Sequence, residues 1–241
     1  MIDAAAPSTI DRLRRVSVAT LATALFKRGL RNQTIQDVRP LASRDGGNMV
    51  GPAFTLRTIP AREDRNGIEV FRDPGHPQRH AVETCPAGAV LVIDSRKDAR
   101  AASAGDILVR RLMRRGCEGI VTDGGFRDAA TIATLPFAAY HSRPSPPTNL
   151  TLHECIAIGE PIGCGDVAVF PGDVLVGDGD AVIVVPQGMA EEVAREAVEM
   201  TVYEDFVAER VMAGDAIIGL YPMTTDENAR AFRAWREENG R

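Results

Sequence analysis

No apolar run in this chain approaches the roughly 20 residues that a membrane-spanning helix needs, so no helical membrane span is expected. The N-terminus, Met1-Ile2-Asp3, also lacks the basic-then-apolar order of a secretory signal. A soluble, cytoplasmic protein is expected, and the sequons at Asn32 and Asn149 then carry no meaning. Positive charge is not in excess: 28 Lys and Arg stand against 33 Asp and Glu, a formal net charge of −5. Such a balance supplies no basic field to recruit nucleic acid. The basic pairs Arg110-Arg111 and Arg114-Arg115 sit among apolar positions at helical spacing and read as a solvated helix face. The four cysteines (Cys85, Cys117, Cys155 and Cys164) form no Cys-x-x-Cys, and no paired histidines accompany them. A zinc ligand set is therefore not expected, and buried reduced thiols are. Internal repeats and low-complexity tracts are absent as well.

What remains is an ordinary globular balance, 44% hydrophobic and 25% charged over 241 residues, enough for one sizeable core. Ser8 or Thr9 is placed to cap a first helix carrying Ile10 and Leu13, and the helical pattern resumes through Leu21, Leu25 and Phe26 to a stop at Gly29. Residues 49–59 read as a strand. Residues 61–80 follow as a polar, punctuated loop rich in Arg, Asp and Glu. Residues 89–93, 119–123 and 137–140 read as strands, separated by a helix over 107–115, a turn at Gly124-Gly125-Phe126 and a short helix over 128–134. Short β runs between Gly-Asp turns then predict hairpins over 163–186. Helical spacing returns from Gly188 and again over 226–238. The series predicts an α/β fold with a parallel or mixed sheet. We expect one domain over 1–241, with N-terminal helices at 8–29, a core at about 49–186 and a C-terminal helical extension at 188–241.

Gly-Asp dipeptides begin at 105, 165, 172, 177, 179 and 214, and most need be nothing more than turns. Gly105-Asp106 differs by position, since it opens the helix at 107–115, where Asp106 has a plain role as N-cap. Arg127-Asp128 follows the next strand and opens the next helix, so Asp128 has the same plain alternative. A helix joining parallel strands starts near their C-terminal ends, so the two pairs are expected on one sheet edge. That edge is where open α/β sheets bind ligands. Together they make coherent chemistry. Free amides of Ile107 and Leu108 at the helix start suit a carboxylate. Arg127 offers a planar fork to a carboxylate or enolate. Asp128 suits a hard cation that keeps several waters, and Asp106 suits one of those waters.

Gly105-Asp106, twenty intervening residues and Arg127-Asp128 resemble the Asp-x20-Arg-Asp signature of class II pyruvate aldolases. These are the 4-hydroxy-4-methyl-2-oxoglutarate and 4-carboxy-4-hydroxy-2-oxoadipate aldolases, within the RraA-like family. The resemblance runs from about Gly51 to Pro186 and includes the stretches 119–128 and 171–186. It implies an RraA-like mixed-sheet α/β domain with β-hairpins and C-terminal helices. It further implies substrate binding by Gly105, Asp106, Ile107, Leu108 and Arg127, catalytic roles for Asp106 and Arg127, and Mg²⁺ or Mn²⁺ held by Asp128. A homotrimer or homohexamer with sites at subunit interfaces is implied too. An acidic residue from a neighbour's C-terminal region completes the site in such aldolases, and Glu204 and Glu209 lie in a suitable tail.

The expected reaction is retro-aldol cleavage of a 4-hydroxy-2-oxo acid to release pyruvate, with oxaloacetate decarboxylation through the same enolate as a side activity. No lysine lies in the motif, which disfavours a Schiff base. Two alternatives stay open. One is a non-catalytic regulator binding RNase E, although in that relative the metal-supporting Asp is replaced, whereas Asp128 is present here. The other is a sugar-acid lyase or dehydratase using the same metal-enolate site. Residues 61–80 look longer than their family counterpart, and Arg62, Arg65, Arg72 and His76 are candidates to recognise a larger substrate.

Overall fold

The computed structural model describes residues 5–43 and 46–241. Met1-Ile2-Asp3, whose composition argued against a signal segment, lies outside the described residues. The chain opens with α1 (Pro7–Leu13) and α2 (Val18–Lys27). Neither Ser8 nor Thr9 caps α1. Pro7 occupies the first turn and Ala6 the cap position, because proline's fixed φ suits a helix start and it has no N–H to satisfy. Ser17 caps α2 by accepting the Thr20 amide at 3.0 Å, and Gly29, at φ +83°, ends the segment as expected.

The sheet strands follow: β1 (Arg39–Ala42) and the long β2 (Met49–Pro60). Residues 61–80 are not one long loop. They contain a 3-10 turn (Ile68–Arg72) and the start of α3 (Pro77–Thr84), again with proline in the first turn. Next come β3 (Val90–Ile93), β4 (Ala102–Ala104), α4 (Asp106–Arg114), β5 (Gly119–Thr122), β6 (Gly125–Phe126), α5 (Ala129–Ile132), β7 (Ala138–His141) and β8 (Arg143–Pro144). After β9 (His153–Ile158) the chain forms two hairpins. The first joins β10 (Ile162–Cys164) to β11 (Val167–Val169), and the second joins β12 (Val174–Gly177) to β13 (Val182–Val185). It closes with α6 (Ala190–Met212) and α7 (Asp226–Asn239). No helix among the described residues is long and apolar enough to cross a membrane.

The main sheet runs β1-β7-β5-β3-β2-β12-β13, with β9 also on β2. Its centre, β2-β3-β5-β7, is parallel, and β1, β9, β12 and β13 are antiparallel additions. One long strand, β2, serves three neighbours in turn: its first residues pair β12, Ala53–Leu56 pair β3, and its end pairs β9. Strands β3 and β5 are buried throughout, as a parallel centre covered on both faces must be. Their side chains alternate between two cores. Leu91, Ile93 and Ile120 pack with Leu112, Ile132 and Phe126 on the helical side. Val90, Val92 and Val121 pack with Val169, Leu175 and Val184 of the hairpins. A third core joins α1, α2 and α6 to β12–β13 through Leu21, Leu25, Ile183, Val185 and Val193. Helix α7 packs its Phe232 and Trp235 on a separate cluster of Phe206, Val207 and Leu220.

Candidate active site

The C-terminal edge of the parallel strands carries an additional small sheet. Strands β3, β5 and β7 are each followed in sequence by a short parallel strand, and these pair as β4-β6-β8. Gly124-Gly125-Phe126, read as a turn, is thus partly strand. Gly125 fits there because a Cβ would lie 2.5 Å from that of Ser145. The pairing of Ala102 with Gly125 and Ala104 with Phe126 puts the residues after β4 beside those after β6. It is fastened by the Arg127 amide, which donates to the Ala104 carbonyl at 3.0 Å. Gly105 and Arg127 meet so closely that a Cβ on Gly105 would stand 2.8 Å from Arg127 Cγ and 3.0 Å from Asp128 Oδ2.

Two expected capping roles do not hold. Gly105 occupies the N-cap of α4, in extended backbone, and Asp106 is the first helical residue, pairing with Arg110 one turn on at 3.2 Å. Asp128 does sit at the N-cap of α5, but in the left-handed region (φ +56°, ψ +32°), and its side chain accepts no capping bond. That backbone geometry turns its carboxylate to Arg127, whose Nε lies 3.3 Å from Asp128 Oδ2. A third correction concerns the amides. The Leu108 N–H already donates to the Gly105 carbonyl at 3.1 Å, so the unspent pair among the described residues is Asp106 and Ile107 rather than Ile107 and Leu108.

These groups line a cleft of about 660 Å³. Its floor is β4, the start of α4 and Arg127-Asp128, and its other wall is Ile68, Phe71, Gln78 and Arg79, with Thr148 and Asn149 at the side. Gly105, Asp106, Ile107, Leu108, Arg127 and Asp128 are therefore brought together. Arg62, Arg65, Arg72 and His76 are not among the lining residues. Arg62 pairs with Asp64 and Arg65 lies 3.7 Å from Glu154. His76 is buried against Phe71, and burial pushes its imidazole below the ordinary histidine range.

Beneath the floor lies a polar network that the motif reading missed. Ser95 Oγ and Ser103 Oγ are 2.7 Å apart, and Ser103 Oγ is 2.6 Å from Thr122 Oγ1. Buried Asp123 accepts the amides of Ser95 (2.7 Å), Lys97 (3.0 Å) and Gly165 (3.1 Å), tying the β3–β4 connection to the β10–β11 hairpin. Desolvation raises its carboxyl above the usual carboxylate range, opposed by those three amides. Gln78 Nε2 donates to the Ser103 carbonyl at 2.6 Å, anchoring α3 to β4.

No group of three His, Cys, Asp or Glu side chains suited to a metal occurs among the described residues. The cleft instead presents two carboxylates, Asp106 and Asp128, each partly exposed and each with one arginine partner. That donor set fits a hard cation which keeps most of its water and takes one or two carboxylates, and it does not fit a dedicated all-protein cage.

The family model described as RraA-like, Aldolase/RraA, matches residues 18–184. The chain belongs to this family. A relative from Halalkalibacterium halodurans, provisionally named a 4-hydroxy-4-methyl-2-oxoglutarate aldolase, is 30% identical over 232 residues, covering 95% of this chain and 94% of its own. The crystal structure of RraAS2 from Streptomyces coelicolor, described as an unusual member of the RNase ES inhibitor RraA protein family, is 30% identical. It superposes with a TM-score of 0.73 over 84% of this chain and 96% of its own. An uncharacterised Pseudomonas syringae protein at 23% identity shares the fold, with a TM-score of 0.74 over 90% of this chain and 98% of its own.

Within this RraA-like chain, the tail glutamates are engaged internally. Glu204 accepts the Thr20 hydroxyl at 2.8 Å and Glu209 accepts the Trp235 indole N–H at 2.7 Å. The basic face of α4 is laced to acids, with Arg111 on Glu83 at 2.7 Å and Arg110 on Asp106. All four cysteines are free and buried.

Proposed function

We propose that this chain is a divalent-cation-dependent lyase that cleaves 4-hydroxy-2-oxo acids by a retro-aldol reaction and releases pyruvate. The observation carrying the reading is the Arg127-to-Ala104 backbone bond. It gathers the Arg127 guanidinium, the Asp128 carboxylate and the free Asp106 and Ile107 amides on one cleft. Those amides, at the positive end of α4, receive the 2-oxo acid's carboxylate. Asp128 would hold Mg²⁺ or Mn²⁺ directly and Asp106 through one of its waters, and the cation would act there as a Lewis acid on the 2-oxo group. Asp106 orients the water that takes the 4-hydroxyl proton. As the C3–C4 bond breaks, its electron pair enters the enolate of pyruvate, and Arg127 neutralises the enolate oxygen. Protonation at C3 then yields pyruvate. Oxaloacetate loses CO2 to the same enolate, so slow decarboxylation accompanies the main reaction. No lysine lines the cleft among the described residues, which argues against a Schiff base.

The name of the Halalkalibacterium relative supports the aldolase reading, and the description of the Streptomyces protein supports a regulator of an RNase. Asp128, free of capping duty and turned into the cleft, favours the lyase. We further propose a cytoplasmic homotrimer or homohexamer. Exposed Ile68 and Ile107 at the cleft support a covering neighbour. The decisive experiment measures pyruvate release from a panel of 4-hydroxy-2-oxo acids with Mg²⁺. EDTA should abolish release, and Asp128→Asn, which the left-handed backbone tolerates, should lower it about 100-fold or more. Full metal-dependent activity in that variant would overturn the assignment.

A further inference from the structure

Arg12, Arg15, Arg236 and Arg241 converge on a second cavity, of about 490 Å³, between the end of α1, the middle of α6 and the end of α7. It shares no lining residue with the cleft. Val16, Val198 and Val202 give it an apolar lining, and Asp11 and Glu199 are its acids. Four guanidiniums against two carboxylates make a positive recess in a chain whose net charge is −5. Two of the four are held in place with donors to spare. Arg236 Nη1 donates to Glu199 at 2.8 Å and Nε to the Arg241 carbonyl at 2.9 Å, which leaves Nη2. Arg241 Nη1 donates to Asp205 at 2.6 Å, which leaves Nε and Nη2, and its guanidinium lies 5.9 Å over the Trp235 ring. Arg12 and Arg15 have no ion-pair partner among the described residues, yet their backbone is fixed by the buried Leu13 and Val16 beside them. Like charges gathered around a low-dielectric recess repel one another and concentrate anions there.

We propose that this cavity binds a phosphate monoester with an apolar or aromatic body, and that the bound ester ties α7 to α1. A carboxylate has two oxygens and is filled by one arginine fork, whereas a phosphate monoester has three and accepts from several guanidiniums at once. The valines suit the body of the ester rather than a bare ion, and the volume lies in the range of small-molecule sites. Helix α7 otherwise has only its own aromatic cluster and surface ion pairs to hold it. An anion shared by Arg12 and Arg15 on one side and Arg236 and Arg241 on the other adds a bond between the two ends of the chain. The inference does not depend on the lyase reading of the cleft.

The test uses phenyl phosphate, inorganic phosphate and benzoate as probes of the full chain, at constant ionic strength without divalent cations. It is run near pH 8, where a phosphate monoester is a dianion. Binding is read by calorimetry and by the fluorescence of Trp235, the one tryptophan, whose ring lies under Arg241. Phenyl phosphate should bind saturably, one per chain, and about 10-fold or more tightly than either inorganic phosphate or benzoate. Arg12→Gln with Arg15→Gln should weaken it about 10-fold or more, and Arg15→Gln alone, at an exposed position, should lose part of that. Saturating phenyl phosphate should slow hydrogen exchange of the α7 amides about 10-fold or more in the parent and not in the double variant. The proposal is overturned if phenyl phosphate does not saturate, if inorganic phosphate or benzoate binds as well, or if the double variant binds like the parent. Unchanged exchange in α7 on saturation would overturn the tie between α7 and α1.

Discussion

The amide of Arg127 donates to the carbonyl of Ala104, and this 3.0 Å bond decides where the site forms. It joins the ends of β4 and β6 through backbone atoms alone. The Gly105 backbone is thereby set against the Arg127 side chain with no room for even a methyl group.

Gly105→Ala separates geometry from stability. The backbone at this position is extended (φ −125°, ψ 178°), so alanine is conformationally acceptable. Its Cβ would nevertheless displace Arg127 and Asp128. We expect a melting temperature within about 3 °C of the parent and a fall in kcat/KM of about 10-fold or more, since small misplacements of catalytic groups are costly. Unaltered kinetics would remove Arg127 and Asp128 from the reacting end of the cleft.

Asp94 carries a pH dependence of the opposite sign to that of most carboxylates. It is buried at the end of β3, and desolvation with the nearby Asp123 charge raises its pKa to about 6, against the bond it accepts from the Arg96 amide at 2.8 Å. Because the folded protein holds this proton more tightly than the unfolded chain, stability from Asp94 is full below about pH 4 and lost as pH rises through 6. Asp94→Asn keeps an acceptor for Arg96 and removes the penalty. Urea unfolding should show it more stable than the parent by about 1–3 kcal/mol near pH 7.5 and equal near pH 4. A variant gain that grows toward acid would contradict the sign.

The C-terminal helix should come loose on its own. Helix α7 packs its Phe232 and Trp235 against Phe206, Val207 and Leu220, a cluster separate from the three main cores. Its ion pairs, Arg236 to Glu199 and Arg241 to Asp205, are surface contacts worth little each. Phe232→Ala should shift Trp235 fluorescence to the red at low urea. Trp235 is the chain's one tryptophan, so the signal is unambiguous. The far-UV transition of the main sheet should move by less than about 1 kcal/mol. Coincident movement of both signals would show that α7 is integral to the sheet domain's stability.

Several elements could be read directly from residue patterns. The buried runs at β3 and β5 and the hairpin β12–β13 are apolar enough to announce themselves, and α4 and α6 show their faces at helical spacing. Strand β9 could not be read that way: His153-Glu154-Cys155 carries polar groups that become acceptable only because β2 supplies a partner. The same holds for β4, β6 and β8, whose two or three residues have no pattern of their own and exist through mutual pairing. The α3 helix was hidden by its composition, Pro-Gln-Arg-His, which reads as loop until Gln78 finds Ser103.

At the site, the separation of Gly105-Asp106 from Arg127-Asp128 pointed to the correct sheet edge. Which amides are free, and that neither aspartate's side chain acts as a cap, depend on backbone angles that residue types do not encode. The arginine-lined cavity beside α7 was invisible for another reason. Arginines are spread along the whole chain, and only the three-dimensional arrangement shows which ones have already found an acid.

The small sheet β4-β6-β8 also bears on how this scaffold could be re-engineered. Its strands are joined to one another by main-chain bonds, so the floor of the cleft depends little on the side chains of the facing 3-10 turn. Residues 68–72 could be randomised as an interchangeable facing, with Gln78 kept because its side chain ties α3 to the Ser103 carbonyl of β4. Libraries seeking new substrate tails belong there, and those seeking new bond-breaking chemistry belong at 105–108 and 127–128.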